Sequence, residues 1–279
     1  MSYFSMFPTQ AYDFNRQGVY QTVVDIYRSV RPLQNFVDTF SAYRYFEIPN
    51  GERPDIISQR LYNSPNYHWT FFLLNDFLHD GIGVWPMSQE DLHEYLATEY
   101  NGYALETRPD VVYNTDGQIT NYKDSLAGRF TLGETITGQT GGATGTLTKK
   151  DIYLNQLVVQ DVTGAFLGAG DGNTLEGVTG STSTDTVTCY KAWQYAEAPH
   201  HWYVSGDDDE IQVSNANFFS TTDDAATNLV LQVGSVGAPV YTSNRQFLFD
   251  LNEQRSKIRV LDAAYMQQFV ETFETLINA

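Results

Sequence analysis

The sequence predicts an α+β protein, and three features lead to that prediction. A stretch rich in β-formers feeds two short helical patterns, a Gly, Thr and Val-rich segment is typical of all-β structure, and apolar residues at helical spacing close the sequence. With 279 residues, the chain can bury more than one small core. We expect four regions: an N-terminal arm (1–40), a module with its following helix (41–127), a Gly/Thr-rich β insert (128–190), and a mixed β region that ends in an amphipathic helix (191–279).

The N-terminal arm is expected to lack a core of its own. Four aromatic residues stand there among polar ones: Tyr3, Phe4, Phe7 and Tyr12. They are too sparse for an independent domain, so the arm should pack on the rest of the chain or on a neighbour. Apolar residues from Val19 to Val30 keep a helical spacing, which predicts a helix that ends at Arg31-Pro32.

A strand and a helical hairpin are predicted next. The β-formers of Tyr43 to Ile48 end at the turn-forming Pro49-Asn50-Gly51. Two helices should begin at Pro54 and Pro65, because proline suits a first helical position. Their boundaries are supported by Ser64 as an N-cap and by Asp55 in a first turn.

Each predicted helix carries an apolar stripe. Ile57 and Leu61 lie four residues apart on the first helix. On the second helix, Trp69, Phe72 and Leu73 occupy positions i, i+3 and i+4. The two stripes are expected to close on each other.

A strand followed by two short helices is the beginning of a βααβ module of the LysM type. The second strand is expected at Ile82 to Trp85. The run from Gly51 to Asn75 contains, in order, Glu-Arg-Pro-Asp, Arg-Leu-Tyr, Asn-Tyr-His-Trp and Leu-Leu-Asn. It resembles the baseplate wedge protein fifty-three family of contractile-tailed, T-even-like phages. Three flanking segments are also similar to that family: Phe7-Pro8, Val19 to Pro32 and Asn252 to Leu261.

The resemblance implies a structural, non-enzymatic tail subunit without a cofactor. Its implied partners are other baseplate wedge proteins, central hub and sheath-initiator proteins, and adjacent copies of the wedge in a six-fold assembly. The implied location is the tail baseplate of a virion assembled in the host cytoplasm. Seven residues are candidates for either the module core or a partner interface: Tyr45, Arg53, Tyr62, Tyr67, Trp69, Phe72 and Trp85.

Two other functions stay open at this point. LysM domains elsewhere recognise N-acetylglucosamine polymers in a groove beside the first strand and helix, which makes a peptidoglycan-binding module of a tail protein the alternative. The corresponding loop here is Asn50 to Arg53, whose charges suit a neutral sugar strand less well. A tail-associated cell-wall hydrolase would need two carboxylates placed across a sugar cleft.

The region after the helical hairpin contains a further helix and a repeat. Ser88 is the expected N-cap of a helix that buries Leu92, Tyr95 and Leu96. Thr135 to Gly141 recurs as Thr174 to Gly180, an offset of 39 residues. Two similar hairpin units predict a closed barrel or a sandwich, and Gly/Thr repeats of this sort resemble decorations of phage tail proteins.

The C-terminal region is predicted to combine strands with a final helix. Strands are expected near Leu229 to Val233 and Gln246 to Leu251. A helix is expected over Ala263 to Ile277. Its apolar stripe contains Met266, Phe269, Val270, Phe273 and Leu276.

Composition narrows the classes of partner. A net charge of -18 argues against nucleic acid, because phosphate binding needs clustered Lys and Arg. No apolar run reaches the roughly 18 to 20 residues of a membrane span, and the first fourteen residues lack the pattern of a signal peptide. The single cysteine, Cys189, fits a reducing compartment. The 19 Tyr and 17 Phe suit protein interfaces, although filling β-rich cores is the simpler interpretation.

Three patterns could hold an ion or a phosphate, and each has a simpler interpretation. His200 and His201 should point to opposite faces of a strand, which favours packing beside Trp202 over metal binding. The carboxylates of Asp207 to Glu210 could bind calcium, but a solvated turn is the default. The glycines of Gly168 to Asn173 are most simply a hairpin turn.

Overall fold

The computed structural model describes residues 3–28, 42–107, 110–113, 119–123, 126–167, 176–204, 211–213 and 239–279. As predicted, the protein mixes α and β structure. It forms two compact units, the first from Met1–Leu92 with Asp250–Ala279 and the second from His93–Phe249.

The described chain contains five α-helices and fifteen strands. The helices are α1 (Pro54–Tyr62), α2 (Trp69–Leu74), α3 (Gln89–Glu99), α4 (Asn244–Ser256) and α5 (Met266–Asn278). The strands before the insert are β1 (Thr9–Tyr12), β2 (Gln21–Val24), β3 (Tyr43–Glu47), β4 (Tyr103–Thr107), β5 (Asp110–Tyr113) and β6 (Ile119–Lys123). The later strands are β7 (Thr135–Gly138), β8 (Thr144–Asp151), β9 (Gln156–Thr163), β10 (Glu176–Gly180), β11 (Thr186–Gln194), β12 (Pro199–Val204), β13 (Ile211–Val213), β14 (Pro239–Ser243) and β15 (Lys257–Leu261).

In the first unit, a two-stranded sheet is built from distant parts of the sequence. β3 pairs antiparallel with β15, so that Tyr45 lies opposite Arg259. The expected second strand at Ile82 to Trp85 is therefore wrong, because Gly81–Val84 is a 3-10 helix. The core beside this sheet contains buried side chains from both helices and from β15: Ile48, Ile57, Phe71, Leu78, Trp85, Ile258 and Val260.

The predicted starts of the helical hairpin are confirmed. Pro54 opens α1, with Asp55 in its first turn. Ser64 caps the following turn by accepting a hydrogen bond from the Asn66 amide at 3.3 Å. The second helix is divided, since a 3-10 turn at Pro65–Tyr67 precedes α2.

The N-terminal arm contains a β-hairpin where a helix was expected. β1 and β2 pair antiparallel, with Thr9 opposite Val24 and Tyr12 opposite Gln21. The helix prediction from Val19 onward is wrong within the described residues, because β-branched side chains favour the extended backbone over the helix. The end of that predicted helix, at Arg31-Pro32, lies outside the described residues.

The second unit contains a closed six-stranded barrel in the order β10-β11-β4-β9-β8-β7. Five of the strands come from the Gly/Thr-rich segment, β11 continues to Gln194, and β4 is contributed from before residue 128. The barrel core consists of buried apolar side chains: Leu105, Leu126, Phe130, Ile136, Ala143, Leu147, Leu157, Val159, Phe166, Val178, Val187 and Cys189. Of the two architectures that the repeat predicts, the structure is the barrel.

The internal repeat of the barrel is real, but its offset is 42 residues and not 39. Glu134 begins one unit and Glu176 the other. Equivalent bonds occur twice: Gly138 N donates to Ala143 O at 2.8 Å, and Gly180 N donates to Asp185 O at 2.9 Å. β7 and β10 pair with each other antiparallel, which relates the two units by an approximate two-fold axis.

The C-terminal predictions are partly confirmed. The final helix exists as α5 and buries Met266, Phe269 and Phe273. The strand expected at Gln246 to Leu251 is wrong, since those residues lie in α4, whose Arg, Gln, Leu and Glu content favours a helix. The strand expected near Leu229 lies outside the described residues.

The helix expected after Ser88 is also present. The Ser88 hydroxyl accepts from the Asp91 amide at 3.1 Å and so caps α3. Leu92 and Leu96 are buried as predicted, whereas Tyr95 is exposed.

Candidate partner interface

Two of the four sequence segments that carry the family resemblance, Gly51 to Asn75 and Asn252 to Leu261, come together in one module. The buried Asn75 side chain accepts from the Arg259 amide at 2.8 Å and donates to the Arg259 carbonyl at 3.0 Å. The Tyr62 hydroxyl donates to the Leu261 carbonyl at 3.0 Å. A side chain of α1 and that of the residue after α2 thus bind β15 directly, although β15 follows them by most of the length of the chain.

Three of the seven candidate residues are built into the core of this module. Trp69 and Trp85 are buried, and the Trp85 indole donates to the Glu52 carbonyl at 3.0 Å. Burial of Tyr62 raises the pKa of its phenol above the usual value. These aromatic side chains stabilise the module, and Tyr62, unlike the two tryptophans, is only half-buried.

Two further candidates line the same core. Tyr67 contacts Tyr62 edge to face, with the ring centroids 6.1 Å apart. Phe72 packs on Trp85 at a centroid distance of 5.4 Å. Both side chains are half-buried.

The last two candidates lie on the surface. Tyr45 is 76% exposed, and the Arg259 guanidinium lies 6.0 Å from the centroid of its ring. Arg53 is exposed and pairs with Asp55 at 3.1 Å. Tyr45 and Arg53 are therefore the two exposed residues of the seven.

The loop Asn50 to Arg53, which was compared with a LysM sugar groove, is partly covered by the chain itself, while the side chains of Asn50 and Arg53 stay exposed. The Gln89 amide donates to the Asn50 side-chain oxygen at 2.9 Å, and the Trp85 indole binds Glu52 as described above. Gly51 has a φ of 69°, and a Cβ there would collide with the backbone of Met87 and Ser88. The segment from Trp85 to Gln89 thus occupies the space beside the loop.

Among the residues that the structure describes, the largest concentration of exposed apolar side chains is in the N-terminal hairpin. We call residues 9–27 the hairpin arm; all four residues of β1 and three of the four in β2 are exposed. Its large exposed side chains are Tyr12 (51%), Phe14 (61%), Val19 (65%), Tyr20 (68%), Val24 (40%), Ile26 (59%) and Tyr27 (90%). Exposed apolar surface on this scale is typical of interaction sites in soluble proteins.

Both ends of the hairpin arm are anchored to α5. Before β1, Met6 and Phe7 are buried in an aromatic cluster with Trp69 and Phe273, and the Asn278 side chain donates to the Met6 carbonyl at 3.1 Å. After β2, the Arg28 guanidinium donates to the Ile277 carbonyl at 2.9 Å. The residues between these anchors are held in place without being buried.

The connection between β1 and β2 is organised by one carboxylate. Asp13 accepts hydrogen bonds from the amides of Asn15, Gln17 and Gly18, at 3.2, 3.2 and 2.6 Å. Burial acts to raise the pKa of Asp13, but these hydrogen bonds outweigh it and the pKa lies below the ordinary value. These hydrogen bonds therefore fix the backbone conformation of the connection between the two exposed strands.

The sites considered for ions take other roles or lie outside the described residues. A β-bulge between Pro199 and His201 brings both histidine rings together, with their Nδ1 atoms 2.9 Å apart, so the expectation of opposite faces is wrong. His200 stacks on Phe247 at a centroid distance of 3.6 Å. Burial and then the neighbouring His201 lower the pKa of His200. The segments Asp207 to Glu210 and Gly168 to Asn173 are not among the described residues.

Cys189 lies in the core of the barrel. Burial, with the nearby carboxylates of Glu106 and Glu176, raises the pKa of its thiol to about 12. A thiol in that state is a small apolar packing group and a poor nucleophile. Within the described part of the chain, no three His, Cys, Asp or Glu side chains gather as metal ligands, and no helix is long and apolar enough to cross a membrane.

A scan of protein-family models finds no match to this chain, and a search of curated proteins finds none either.

The sequence motifs contain residues whose roles only the fold reveals. Asn75 fixes β15, and Asn252 exchanges two hydrogen bonds with the Met87 backbone, at 2.8 and 3.1 Å. The exposed Val, Tyr and Ile residues of the hairpin arm were a visible signal, but their spacing also fits a helix.

Proposed function

We propose that this protein is a structural subunit of a contractile phage tail baseplate, a wedge connector that acts through protein–protein interfaces in a six-fold assembly. The observation that carries the proposal is the hairpin arm. Its exposed apolar side chains lie between two anchors on α5, so the arm is held ready for contact with a partner. The proposed partners are other wedge proteins, hub and sheath-initiator proteins, and adjacent copies of the wedge.

The phage context follows from the resemblance to the wedge protein fifty-three family, and the fold adds support to it. The segment Gly51 to Asn75 and the segment Asn252 to Leu261 both carry that resemblance. They meet in one small module through Asn75 and Tyr62. Two separate stretches of similarity that form one folded unit are more telling than either stretch alone.

The covered loop supports a connector over a sugar-binding module. A glycan in a LysM-type groove would need the surface beside Asn50 to Arg53. Here Trp85 and Gln89 bind the loop, and the backbone at Met87 and Ser88 lies against Gly51. This segment therefore blocks the side of the loop at Gly51, while the side chains of Asn50 and Arg53 stay exposed.

Recovery of assembled tails tests the proposal. A tagged form of the chain, expressed where the phage assembles, should co-sediment with complete tail particles. The double variant Tyr12→Lys with Tyr20→Lys should fold normally and be lost from the particles, because it places two charges in the proposed contact. Ile82→Lys is the matched control, since Ile82 is 69% exposed outside the arm.

Two results would contradict this role. Complete particles that lack the protein would remove it from the structure of the tail. Retention of the purified protein on peptidoglycan, lost on substitution of residues in the loop Asn50 to Arg53, would favour the sugar-binding alternative instead.

A further inference from the structure

His200 and His201, which we call the histidine pair, form a cluster of rings with Phe247 in the second unit. The β-bulge leaves His200 without a residue directly opposite it on β14, and bulges redirect the side chains that they carry. Phe247 of α4 stacks on His200 at a centroid distance of 3.6 Å and meets His201 edge to face at 6.2 Å. The three half-buried rings therefore connect β12 with α4.

A hydrogen atom shared between the two imidazoles holds the pair together. Their Nδ1 atoms lie 2.9 Å apart, which is a hydrogen-bond distance. An imidazole nitrogen donates only when it carries a hydrogen, so one Nδ1 must carry it while the other keeps its lone pair. The bond can form when both rings are neutral or when one ring is charged. It cannot form when both rings are charged, because each Nδ1 then carries a hydrogen.

The surroundings of the pair favour one positive charge and oppose a second. Asp151 of β8 and the face of the Phe247 ring both stabilise a single imidazolium ion. A second imidazolium ion would lie directly beside the first and would also be repelled by Lys149 of β8. Burial, then His201 and then Lys149 lower the pKa of His200, and together they outweigh the opposite effect of Asp151.

The other described neighbours of the pair do not offset this repulsion. Thr242, opposite His201 on β14, carries no charge. Arg245 of α4 already forms an ion pair with Glu197. Tyr203 of β12, with its ring centroid 6.1 Å from that of His201, is neutral at the pH at which histidine titrates.

We propose that the histidine pair is an acid-sensitive switch between β12 and α4. The contact is closed while the pair carries at most one positive charge, and it opens when a second proton enters and separates the rings. The stack of His200 on Phe247 is then lost. The start of α4 stays in place, because the Asn244 amide donates to the Ala198 carbonyl at 3.0 Å without help from the histidines. This inference concerns the second unit by itself and does not depend on a role in a tail.

The direction of the pH dependence follows from proton binding. The pKa of His200 in the folded protein lies below the ordinary 6.5. As the pH falls below 6.5, the unfolded chain therefore binds more protons than the folded one. The contact is stable above 6.5 and weakens as the pH falls from there toward the folded-state pKa.

Heteronuclear NMR of the histidine rings in the full-length protein tests the switch. The pair should titrate in two coupled steps, separated by at least about a factor of ten in proton concentration. Nuclear Overhauser contacts between the rings of His200 and Phe247 should be present at about pH 7.5 and lost by about pH 5. Two independent steps at the ordinary histidine pKa would overturn the proposal. Ring contacts that persist after the second proton has bound would also overturn it.

His201→Gln separates the effect of the pair from the general effect of acid. Because glutamine takes up no proton, His200 should titrate in a single step, at a higher pKa than in the wild type. Its contact with Phe247 should survive to lower pH. His79→Gln is the matched control, since His79 is exposed in the first unit, and it should leave both steps unchanged. Loss of the contact at the wild-type pH in His201→Gln would exclude the pair as the cause.

A second variant keeps the test decisive if His201→Gln does not fold. The Lys149 side chain is 60% exposed, so Lys149→Met should fold. It should move the second protonation step to higher pH, because it removes a cation that opposes the second proton. An unchanged second step would contradict the electrostatic account of the switch.

Hydrogen exchange distinguishes local opening from unfolding of the second unit. The amides of β9 and of Asn244 should keep their protection at the pH at which the ring contact is lost. Loss of protection in the barrel over the same pH range would assign the change to general acid unfolding and overturn the proposal.

Discussion

The hairpin arm and the barrel are both antiparallel β structure, yet they treat their edges in opposite ways. In the barrel, β10 pairs with β11 on one side and with β7 on the other, so the ring closes and every strand has two neighbours. In the arm, β2 pairs with β1 alone among the strands that the structure describes. Closure lets the barrel bury Leu105, Leu147 and Leu157 completely, whereas the open arm leaves its apolar side chains in water.

The barrel therefore encloses a core of its own, whereas the arm leaves most of its large apolar side chains exposed. Both regions are rich in threonine and valine, so composition alone does not distinguish them. What distinguishes them is the number of strands that the chain supplies locally. Substitutions in the two regions should therefore differ in which property they change, the stability of the fold or association.

The largest effect is expected at the anchor of the arm. Trp69→Ala should lower the free energy of unfolding by about 3 to 5 kcal/mol. The Trp69 ring contacts those of Tyr3 and Phe273, with centroids 5.2 and 4.7 Å away, so the substitution also releases the start of the arm. Urea unfolding of the first unit measures the loss. A stable variant that fails only in assembly would place Trp69 in an interface instead.

A direct comparison of the two regions comes next. Leu157→Ala should destabilise the barrel by about 2 to 5 kcal/mol, because it leaves a cavity in a closed core. Val19→Ala should change stability by no more than about 0.5 kcal/mol, because its side chain is 65% exposed. Hydrogen exchange of barrel and arm amides reports both changes in the intact chain. Similar losses of stability in the two variants would contradict the proposed difference between the barrel and the arm.

A smaller effect is expected where the two repeat units of the barrel are joined. The Glu134 carboxylate, just before β7, accepts from the amides of Thr182 and Ser183, both at 2.9 Å, in the turn after the neighbouring strand β10. Glu134→Gln should weaken the barrel by about 1 to 3 kcal/mol, since it removes an ionised acceptor from a buried position. Glu94→Gln, on the exposed face of α3, is the control and should be neutral.

The pH dependence of the barrel should have a defined sign. Burial acts to raise the pKa of Glu134, but hydrogen bonds from Ser183, Thr131 and Thr182 outweigh it and lower the pKa below 4.5. Because the folded-state pKa is depressed, this stabilisation is complete above 4.5 and is lost as the pH falls through the folded-state value. Acid titration of barrel unfolding should show a step that Glu134→Gln removes. An unchanged step would assign it to other carboxylates.

Local signals in the sequence predicted much of the first unit. Proline at a first helical position and serine as a cap act within one turn, and for this reason the starts of α1 and α3 were predictable. The helical spacing of Met266, Phe269 and Phe273 likewise identified α5. Each of these signals depends on residues that are neighbours along the chain.

The wrong predictions concern segments whose structure depends on residues far away in the sequence, or segments in which a helical and a strand pattern compete. β15 completes the sheet with β3, and a pairing at such separation leaves no periodic trace in either strand. In the hairpin arm, Val19, Val23 and Ile26 satisfy a helical spacing, but their β-branched side chains and the partner strand β1 decide for the extended backbone. The covered loop at Gly51 likewise depends on Ser88, which is close only after folding.

The pairing of β3 with β15 also has a consequence for biosynthesis. The ribosome synthesises β15 roughly 200 residues after β3. At about 5 to 20 residues per second, β3 therefore remains without its partner strand for on the order of 10 to 40 seconds. Until β15 is synthesised, the apolar side chains of Ile48, Ile57 and Phe71 lack the contacts that β15 makes in the folded core, and chaperones can bind them. A product that terminated before β15 would lack the second strand of the sheet and could not complete this module.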